Sequence, residues 1–392
     1  MGVDVFRRRA VSLISEMKKE TYRDALLIHH DDADGLCSAA IVKATLEREG
    51  YNVKMLCIEK ILPEIIESIH RVEGRVIIYA DIGSSHADLI SEFNNGKNLT
   101  VILDHHDPRP SSDPKVYDLN LENYGFKGER DFSGSTCCYL FSKLFSEENI
   151  DLSYLAIVGS CEIPEGLIGL NRQVLQEAIS NRIVDDEGGK IKIRKFGVDV
   201  RSLFSKLQVL GAVGYYIGGP EVGVRTCIYG VTDETVRMVN LLEERRKKAN
   251  RRLLAMLYHG YLKETEHIQW FDAGDVYHGM GSKVIGQFCS FLSYQKRLIN
   301  PKKYIFGMMN MQAEIPGWGR LKVERAKISV RTPKELRRLI SEEKAPSAVR
   351  ILSLASEGFG LADGHEYAAS AVVSRKDKMR IIENAESLLR HY

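Results

Sequence analysis

Few features of this 392-residue sequence point to an extracellular or a membrane protein. Its seven cysteines form no CxxC pair and no zinc-like spacing, so reduced thiols are the simplest interpretation. No apolar run approaches the about 18 residues that a membrane span needs. The apolar stretch after the first arginines is too short for a signal peptide. We therefore expect a cytoplasmic protein that makes no contact with a membrane.

A strong excess of charge of one sign is also lacking. Lys and Arg together number 55 and Asp and Glu 53, which gives a formal net charge of +2. This balance does not argue for nucleic-acid binding, and it leaves room for a local basic groove. A hydrophobic content of 44% is typical of a globular protein, and the length fits two domains.

The first part of the sequence alternates short apolar runs with amphipathic segments. The patterns predict strands at 24–30, 74–83 and 98–107, and helices at 37–50, 61–72 and 85–95. Strands that alternate with helices indicate an α/β fold with a parallel sheet covered on both faces. In such sheets ligands bind beyond the carboxyl ends of the strands.

Polar clusters follow all three predicted strands. They are "HHDDADG" (29–35), Asp81 in "YADIGSS", and "DHHDP" (104–108). Taken alone, the first cluster could be a solvated acidic helix N-terminus, where carboxylates are favourable. Three clusters at one edge of one sheet favour a site for divalent cations instead.

Two cations about 3.5–4 Å apart need about three ligands each, with one carboxylate bridging them. Asp81, at the end of a neighbouring strand, is our choice for the bridge. His30 and Asp32 would then hold one ion, and Asp34 and His105 the other. Imidazole and carboxylate together suit manganese, with magnesium and zinc as alternatives. The sequence therefore predicts a two-metal centre that activates water and clamps a phosphate.

Four further residues receive roles around this centre. Asp104 and His106 would orient the metal ligands or contact a phosphate, so Asp81, Asp104, His105 and His106 form the predicted catalytic set. Gly35 and Ser38, at the start of the following helix, would offer backbone and hydroxyl donors to an anion.

These motifs resemble those of the DHH phosphoesterase superfamily. The resemblance rests on His30-x-Asp32-x-Asp34-Gly35, on Asp81 at a strand end, and on Asp104-His105-His106. The first spacing is similar to that of the RecJ-like branch, particularly of the archaeal RecJ-like nucleases. The stretch 118–141, with Asn120 and Ser133-Gly134, resembles the text that follows the DHH motif there.

One position departs from the pattern of the superfamily. The fourth motif commonly has "VGAxGD", whereas this sequence has "AIVGSCEIPEG" (156–166), without an Asp. Glu162 and Glu165 are the nearby carboxylates, and Glu162 is the predicted replacement ligand. Glu162 stands one residue before the position of the usual Asp, so it would need a local rearrangement to act as a ligand. The departure therefore affects whether the second metal site is fully occupied.

The rest of the sequence suggests two further segments. We expect a DHH domain over 1–170, an intermediate segment over 171–264, and a smaller α/β domain over 265–392. Turns are predicted at 185–190 and 218–223, a long helix at 233–264, a helix at 281–296, and strands at 304–312 and 325–332. The middle of the long helix, "EERRKKANRR" (243–252), is either a solvated helix face or a source of positive charge for a cleft.

The end of the sequence resembles the DHHA1 domain that accompanies DHH domains. "GFGLADGHEYAASAVV" (358–373) predicts a Gly-rich turn followed by a helix of small residues, and Gly364 and His365 match the family's Gly-rich turn. Such a turn is an anion site, although a simple capping turn would look the same. Arg331, on a strand that faces the substrate in DHHA1 domains, could grip a phosphate through two parallel hydrogen bonds.

The resemblance implies a RecJ-like exonuclease that hydrolyses single-stranded DNA or RNA in an interdomain cleft, in DNA replication or repair. A protein partner such as GINS or the helicase-nuclease Hef is implied by the resemblance alone. One alternative is a phosphoesterase for a small nucleotide, such as an oligoribonucleotide, a cyclic dinucleotide or phosphoadenosine phosphate. The other is a non-catalytic replication scaffold, a class in which metal ligands have been lost.

Overall fold

The computed structural model describes residues 2–20, 22–128 and 130–392, and these divide into two compact units. The first unit comprises the residues up to Gly211 together with Gly218–Val239 and Pro316–Trp318. The second comprises Ala212–Ile217, Asn240–Ile315 and Gly319–Tyr392. Residues 171–264, which the sequence predicts as a segment of their own, are thus shared between the two units.

A parallel five-stranded sheet forms the centre of the first unit, as predicted. Its strands are β1 (Asp24–His29), β2 (Asn52–Cys57), β3 (Val76–Ala80), β4 (Leu99–Leu103) and β5 (Val116–Asp118). Their order in the sheet is β2-β1-β3-β4-β5, and every neighbouring pair is parallel. Strands β3 and β4 are buried at every residue, which explains their continuous apolar sequences. Strand β2 was not predicted, because its exposed residues break the apolar run.

Nine helices lie wholly within the described part of the first unit. They are α1 (Gly2–Lys19), α2 (Ala33–Arg48), α3 (Pro63–Ile69), α4 (Ala87–Asn94), α5 (Gly134–Lys143), α6 (Ser153–Gly159), α7 (Gly169–Ser180), α8 (Val200–Gln208) and α9 (Gly219–Tyr229). Helix α2 is buried along most of its length and packs against α5, α6 and α9. It begins four residues before the predicted start, because the side chain of Asp32 caps it.

Of the two turns predicted in the middle segment, the first is present in the structure and the second is not. Strands β6 (Val184–Glu187), β7 (Lys190–Ile193) and β8 (Val198–Asp199) form a small antiparallel sheet. Gly188 and Gly189 form the turn between β6 and β7, with positive φ angles of 67° and 91°. The prediction at 218–223 was wrong, because Gly218 caps α9 and Pro220 lies in its first turn.

A six-stranded mixed sheet, in the order β15-β16-β14-β11-β10-β9, forms the centre of the second unit. Its strands are β9 (Lys263–Glu264), β10 (Ile268–Asp272), β11 (Tyr304–Asn310), β14 (Arg325–Arg331), β15 (Gly360–Gly364) and β16 (Ala368–Ser374). A separate hairpin consists of β12 (Glu314–Ile315) and β13 (Gly319–Arg320). The helices are α10 (Asp233–Met256), which also contributes to the first unit, α11 (Lys283–Leu292), α12 (Lys334–Ser341), α13 (Ala348–Ala355) and α14 (Lys378–Leu389). The predicted helix at 233–264 is shorter than expected, because Gly260 ends the π-helical turn after α10 with a φ of 87°.

The prediction of a helix within 358–373 was also wrong. Strands β15 and β16 form an antiparallel hairpin there, and Gly364 and His365 lie at its turn. Ala369, Ala371 and Val373 alternate along β16 into the core of the unit, and β16 pairs with β14 over seven residues. Pairing with an existing sheet therefore overrides the helix propensity of the alanines.

No helix within the described ranges is both long and apolar enough to cross a membrane.

Candidate metal centre

The register of the parallel sheet brings three polar side chains to one edge. His29 of β1 is paired with Ala80 of β3, and Ala80 is paired with Leu103 of β4. The next residues along these three strands are His30, Asp81 and Asp104. The predicted convergence of three strand ends is therefore present in the structure.

His30, Asp32 and Asp81 form a first group of ligand atoms. Nδ1 of His30 lies 3.0 Å from Oδ2 of Asp32 and 3.6 Å from Oδ2 of Asp81. Oδ1 of Asp32 accepts a hydrogen bond from the Gly35 amide at the start of α2, at 2.9 Å. The helix cap thus fixes one oxygen of Asp32 and directs the other to His30.

Asp81, Asp104, His105 and His106 form a second group. Nε2 of His105 lies 3.4 Å from Oδ1 of Asp81, and Nδ1 of His106 lies 2.7 Å from Oδ1 of Asp104. The backbone amide of Ser84 donates to Oδ2 of Asp104 at 2.9 Å. Asp104 therefore holds the ring of His106 in place and is itself held by the backbone.

Asp81 belongs to both groups, one oxygen lying near His30 and the other near His105. Its side chain is buried, and Oδ1 receives no hydrogen bond from the described residues. Its φ of 61° is left-handed, a conformation that Asp tolerates better than most residues. This is the position that the sequence predicts for a bridging carboxylate.

The electrostatics of the centre also fit a cation. Burial raises the pKa of Asp81 well above its usual range, and the neighbouring Asp34, Asp32 and Asp104 raise it further. Burial raises the pKa of Asp104 as well, but the charge and hydrogen bond of His106 outweigh it, so that pKa is lowered overall. Carboxylates that repel one another in a buried site need a compensating positive charge, and bound divalent cations supply it.

Asp34 is placed somewhat differently from the prediction. Its Oδ2 accepts a hydrogen bond from the Gly134 amide at 2.8 Å, and its Oδ1 accepts one from Ser135 at 3.0 Å. Nε2 of His105 lies 3.9 Å from Oδ2. Asp34 thus stabilises the N-terminus of α5, next to the two groups of ligand atoms. Its role as a ligand stays a prediction.

Two glycines allow helices to approach these carboxylates, and the sequence analysis assigned no role to their size. A Cβ atom on Gly134 would lie 2.0 Å from Oδ1 of Asp81. A Cβ atom on Gly159, at the end of α6, would lie 2.1 Å from Oδ1 of Asp34. Both positions therefore require glycine. The sequence feature that could have identified these glycines is their position in the "SGS" and "VG" turns that accompany the motifs.

Glu162 and Glu165 do not join either group of ligand atoms among the described residues. Glu162 is exposed, and Nε2 of Gln208 donates to its Oε2 at 3.1 Å. Its charge still contributes to the raised pKa of Asp81. Glu165 is exposed as well and forms an ion pair with Arg130 at 3.7 Å. The Asp of the usual motif would align with Ile163, which is buried.

The proposed anion donors at the start of α2 were wrong. The amide of Gly35 is already engaged by Asp32, and a Cβ on Gly35 would lie 2.5 Å from the carbonyl oxygen of His30. Ser38 is fully buried on the inner side of α2, where a substrate has no access to its hydroxyl. Gly35 is thus needed for close packing, and Ser38 belongs to the core.

Arg331 lies at the end of β14 in the second unit. Nε donates to Oγ of Ser290 at 2.9 Å, and Nη1 donates to the carbonyl oxygen of Val330 at 2.9 Å. Burial lowers the pKa of the guanidinium, and no carboxylate of the described residues forms an ion pair with it. A Cβ on Gly286 would lie 2.7 Å from Nη2. A desolvated cation of this kind is suited to bind an anion.

Gly364 and His365 are placed in the turn of the β15–β16 hairpin, not at the start of a helix. Gly364 has a φ of 141°, and a Cβ there would lie 2.4 Å from the Cα of Ala369. The His365 amide donates to the carbonyl oxygen of Ala368 at 2.7 Å. An anion site based on a helix N-terminus is therefore excluded here, whereas substrate binding by these residues stays a prediction.

A third group, Glu266, His267 and Glu386, lies in the second unit. Nδ1 of His267 is 3.0 Å from Oε1 of Glu386, and Thr265 donates to Oε2 at 2.6 Å. These bonds attach the turn before β10 to α14, which accounts for the group without a metal.

Comparisons with known proteins agree with this geometry. Residues 25–159 match the family model described as "DHH family, N-terminal domain". Over 184 residues the chain is 31% identical to the uncharacterized protein MJ0831 of Methanocaldococcus jannaschii, covering 45% of this chain and 41% of that protein. Residues 25–159, which contain His30, Asp81 and His105, thus match a DHH-family N-terminal domain.

Solved structures with a similar fold include two of RecJ. RecJ from Thermus thermophilus in complex with Mn²⁺ has a TM-score of 0.66 at 17% identity, and the match covers 99% of this chain and 55% of that chain. Exonuclease RecJ bound to manganese has a TM-score of 0.63 at 18% identity, with coverage of 99% and 94%. CDC45 from Entamoeba histolytica has a TM-score of 0.55 at 9% identity, with coverage of 99% and 97%. These identities show the fold alone.

Proposed function

We propose that this chain, which carries a DHH-family domain at 25–159, is a RecJ-like exonuclease that hydrolyses phosphodiester bonds of single-stranded DNA or RNA. The observation that carries the proposal is the carboxylate of Asp81, shared by two groups of histidine and carboxylate ligands. Two divalent cations, preferably Mn²⁺, would be held there, and when bound they supply an activated water and a clamp on the phosphate.

The residues of the chain divide this work between them. His30 and Asp32 would hold one ion, His105 would hold the other, and Asp81 would contribute to both. Asp34 holds the N-terminus of α5 against the centre, and in our proposal it also completes the ligand set of the second ion. Each carboxylate oxygen that already accepts an amide hydrogen bond keeps a second lone pair for a cation.

His106 is the proposed contact to the scissile phosphate. The hydrogen bond to Asp104 fixes the orientation of its ring, which suits a group that contacts a phosphate oxygen. The side chain is 36% exposed, so a substrate can approach it. Arg331 in the second unit is the proposed donor to a further phosphate of the strand.

The basic face of α10 is the proposed contact to the strand backbone. Arg245, Lys248 and Arg252 are exposed and lie at i, i+3 and i+7, on one face of the helix. None of the three forms an ion pair within the part of the chain that the structure describes. Unpaired cations in a row are suited to phosphates along a strand.

One specific observation favours a second function, that of a non-catalytic replication scaffold. The carboxylates nearest to the fourth motif lie outside both groups of ligand atoms among the described residues. A similar fold occurs in CDC45 from Entamoeba histolytica. The presence of His30, Asp32, Asp81 and His105 in one site favours the enzyme. A partner such as GINS or Hef is part of this proposal for either function.

The test uses single-stranded DNA and RNA labelled at either end, incubated with Mn²⁺, with Mg²⁺ and with EDTA. We expect Mn²⁺-dependent release of mononucleotides from one end, and none by Asp81→Asn. Intact strands under every condition would overturn the exonuclease. Short oligoribonucleotides, a cyclic dinucleotide and phosphoadenosine phosphate, tested in parallel, would then decide between the small-nucleotide enzyme and the scaffold.

A further inference from the structure

A cavity of about 480 Å³ lies in the first unit, beside the fourth motif. Residues after α6 form one wall, including Cys161 and Ile163. Strand β7 and the first residues of α8 form the other, including Lys190 and Arg201. The volume is within the about 300–1,000 Å³ that is usual for small-molecule sites. The small sheet of the middle segment therefore completes a site that the DHH motifs alone do not contain.

The lining of the cavity combines apolar side chains with two cations and two carboxylates. Ile163, Leu167 and Ile191 are among the apolar lining residues. Lys190 and Arg201 form no ion pair within the described ranges, and both are exposed. A ligand with one flat apolar part and one anionic part matches this lining.

The two acidic residues of the lining are already engaged. Oε2 of Glu162 accepts a hydrogen bond from Gln208 at 3.1 Å. Oδ1 of Asp199 accepts one from the Ser202 amide at 2.9 Å, as the cap of α8. Both carboxylates are thus oriented by neutral donors, whereas Lys190 and Arg201 form no ion pair among the described residues and are the lining groups suited to a phosphate.

The wall of the cavity contains residues that adjoin the helices packed against the candidate metal centre. Ser160 lines it, and the preceding Gly159 lies against the carboxylate of Asp34. The hydroxyl of Ser160 is 3.1 Å from that of Ser133, which caps α5 beside Asp81. These contacts connect one wall of the cavity to the helices beside the centre, and the charge of Glu162, which also lines the cavity, acts on Asp81.

We infer that this cavity binds one nucleotide of the strand that is hydrolysed, the base against the apolar wall and a phosphate at Lys190 and Arg201. The inference rests on the proposed function, because it names a subsite for the same strand. A free nucleoside monophosphate has the same chemistry, so the test compares a strand with a mononucleotide.

Cys161 provides a direct measure of occupancy. It lines the cavity, whereas the other six cysteines are buried, and burial raises its pKa to about 11. Modification by a thiol reagent is therefore measured at pH 8.5 in EDTA, where nothing is cut, and Cys161→Ala confirms the labelled site. We expect a deoxyoligonucleotide of about ten residues to slow the modification at least about fivefold, and 5′-dAMP to slow it less. Equal rates with and without the strand, or protection by 5′-dAMP alone, would overturn the strand subsite.

The double variant Lys190→Ala/Arg201→Ala tests the two cations. The matched control, Lys19→Ala/Arg172→Ala, removes two exposed cations of the same unit that do not line the cavity. We expect the double variant to lose the protection of Cys161 and to bind the labelled strand about tenfold more weakly in EDTA. We expect the control to behave as the wild type. Equal losses in both double variants would show a general charge effect and overturn the inference.

Activity separates this inference from the proposed function. With Mn²⁺, the ratio of kcat/KM for the strand to kcat/KM for bis(p-nitrophenyl) phosphate should fall about tenfold in the cavity variant and stay unchanged in the control. If the wild type hydrolyses neither substrate while the strand still protects Cys161, the nuclease is wrong and the nucleotide site is supported. If the wild type hydrolyses the strand and the ratio is unchanged, the cavity is not part of its site.

Discussion

Gly134 lies directly against the carboxylate of Asp81, since a Cβ atom at position 134 would stand 2.0 Å from Oδ1. The same residue donates its amide hydrogen to Asp34 at 2.8 Å. The N-terminus of α5 therefore positions two acidic residues at once, and the absence of a side chain at Gly134 is part of the metal centre.

We expect Gly134→Ala to displace Asp81 and to lower the Mn²⁺ affinity by at least about tenfold, as changes beside metal ligands commonly do. The activity should fall about 100-fold, because a shift of about 1 Å in a catalytic group costs that much. Titration calorimetry measures the affinity, and circular dichroism verifies the fold. Ser135→Ala is the control, since it adds no atom beside Asp81. Normal Mn²⁺ affinity in Gly134→Ala would contradict the proposed bridge.

Asp81→Asn should separate the stability of the metal-free protein from its response to metal. In EDTA we expect the variant to be at least as stable as the wild type, because a buried carboxylate repelled by Asp32, Asp34 and Asp104 is removed. Mn²⁺ at about 100 times its dissociation constant should stabilise the wild type by about 2.7 kcal/mol and the variant by much less. Thermal unfolding with and without Mn²⁺ measures both effects. Glu165→Gln, which alters an exposed ion pair, should respond as the wild type.

The sequence was sufficient to predict the edge of the sheet where the site lies. The runs that became β1, β3 and β4 are mainly apolar, and a parallel sheet aligns their ends. His30, Asp81 and Asp104 could therefore be placed together without knowledge of any contact. The structure adds that Asp81 follows β3, the middle strand of the sheet, so that its carboxylate lies between His30 and His105.

Tertiary contacts decided what the sequence did not predict. The alanines of β16 favour a helix locally, but pairing with β14 determines their structure. The importance of Gly134 and Gly159 depends on what lies opposite them, which no spacing reveals. Likewise, Glu162 is exposed because of the way the chain turns after α6. The sequence shows only that a carboxylate stands close to the fourth motif.

His70 should make the protein less stable as the pH falls. Its ring is buried, with Nδ1 2.9 Å from Oδ1 of Asn94 and Nε2 2.9 Å from the hydroxyl of Tyr79. Burial lowers its pKa from 6.5 to about 4. Between these values the unfolded chain binds a proton on His70 and the folded chain does not. The free energy of unfolding should therefore fall as the pH falls from 6.5 to 4, by about 3 kcal/mol in total from this residue.

His70→Gln should flatten this dependence, since glutamine can replace both hydrogen bonds but does not titrate. Urea denaturation of the full chain between pH 7.5 and 4.5 measures the slope. His391→Gln is the matched control, because that histidine is exposed near the end of the chain. An equal slope in His70→Gln and the wild type would mean that other groups, such as the buried His29, dominate.

Arg331→Lys should weaken strand binding about tenfold while preserving the fold. The guanidinium is held by Ser290 and by the carbonyl of Val330, and lysine cannot reproduce its fork of donors. We expect KM for the strand to rise with little change in kcat, because Arg331 belongs to neither group of ligand atoms. Arg375→Lys, in an exposed ion pair with Glu324, is the control. An unchanged KM in Arg331→Lys would exclude the phosphate contact.

The basic face of α10 should determine how strand binding depends on salt. Arg245, Lys248 and Arg252 span about 10.5 Å along the helix, from the usual rise per residue. Each phosphate contact on a single strand contributes about 0.7 to the slope of log affinity against log salt. Replacing the three with Gln should therefore lower that slope by about 2, and fluorescence anisotropy between 50 and 300 mM NaCl measures it.

The matched control replaces three cations of the second unit that already have acidic partners, Arg338, Lys344 and Arg375. Both triple variants lose the same charge, so a general electrostatic effect would alter both slopes equally. Direct contact with the strand alters the slope only in the α10 variant. A slope that stays at the wild-type value in that variant would show the basic stretch to be a solvated helix face, which is the other interpretation of this pattern in the sequence.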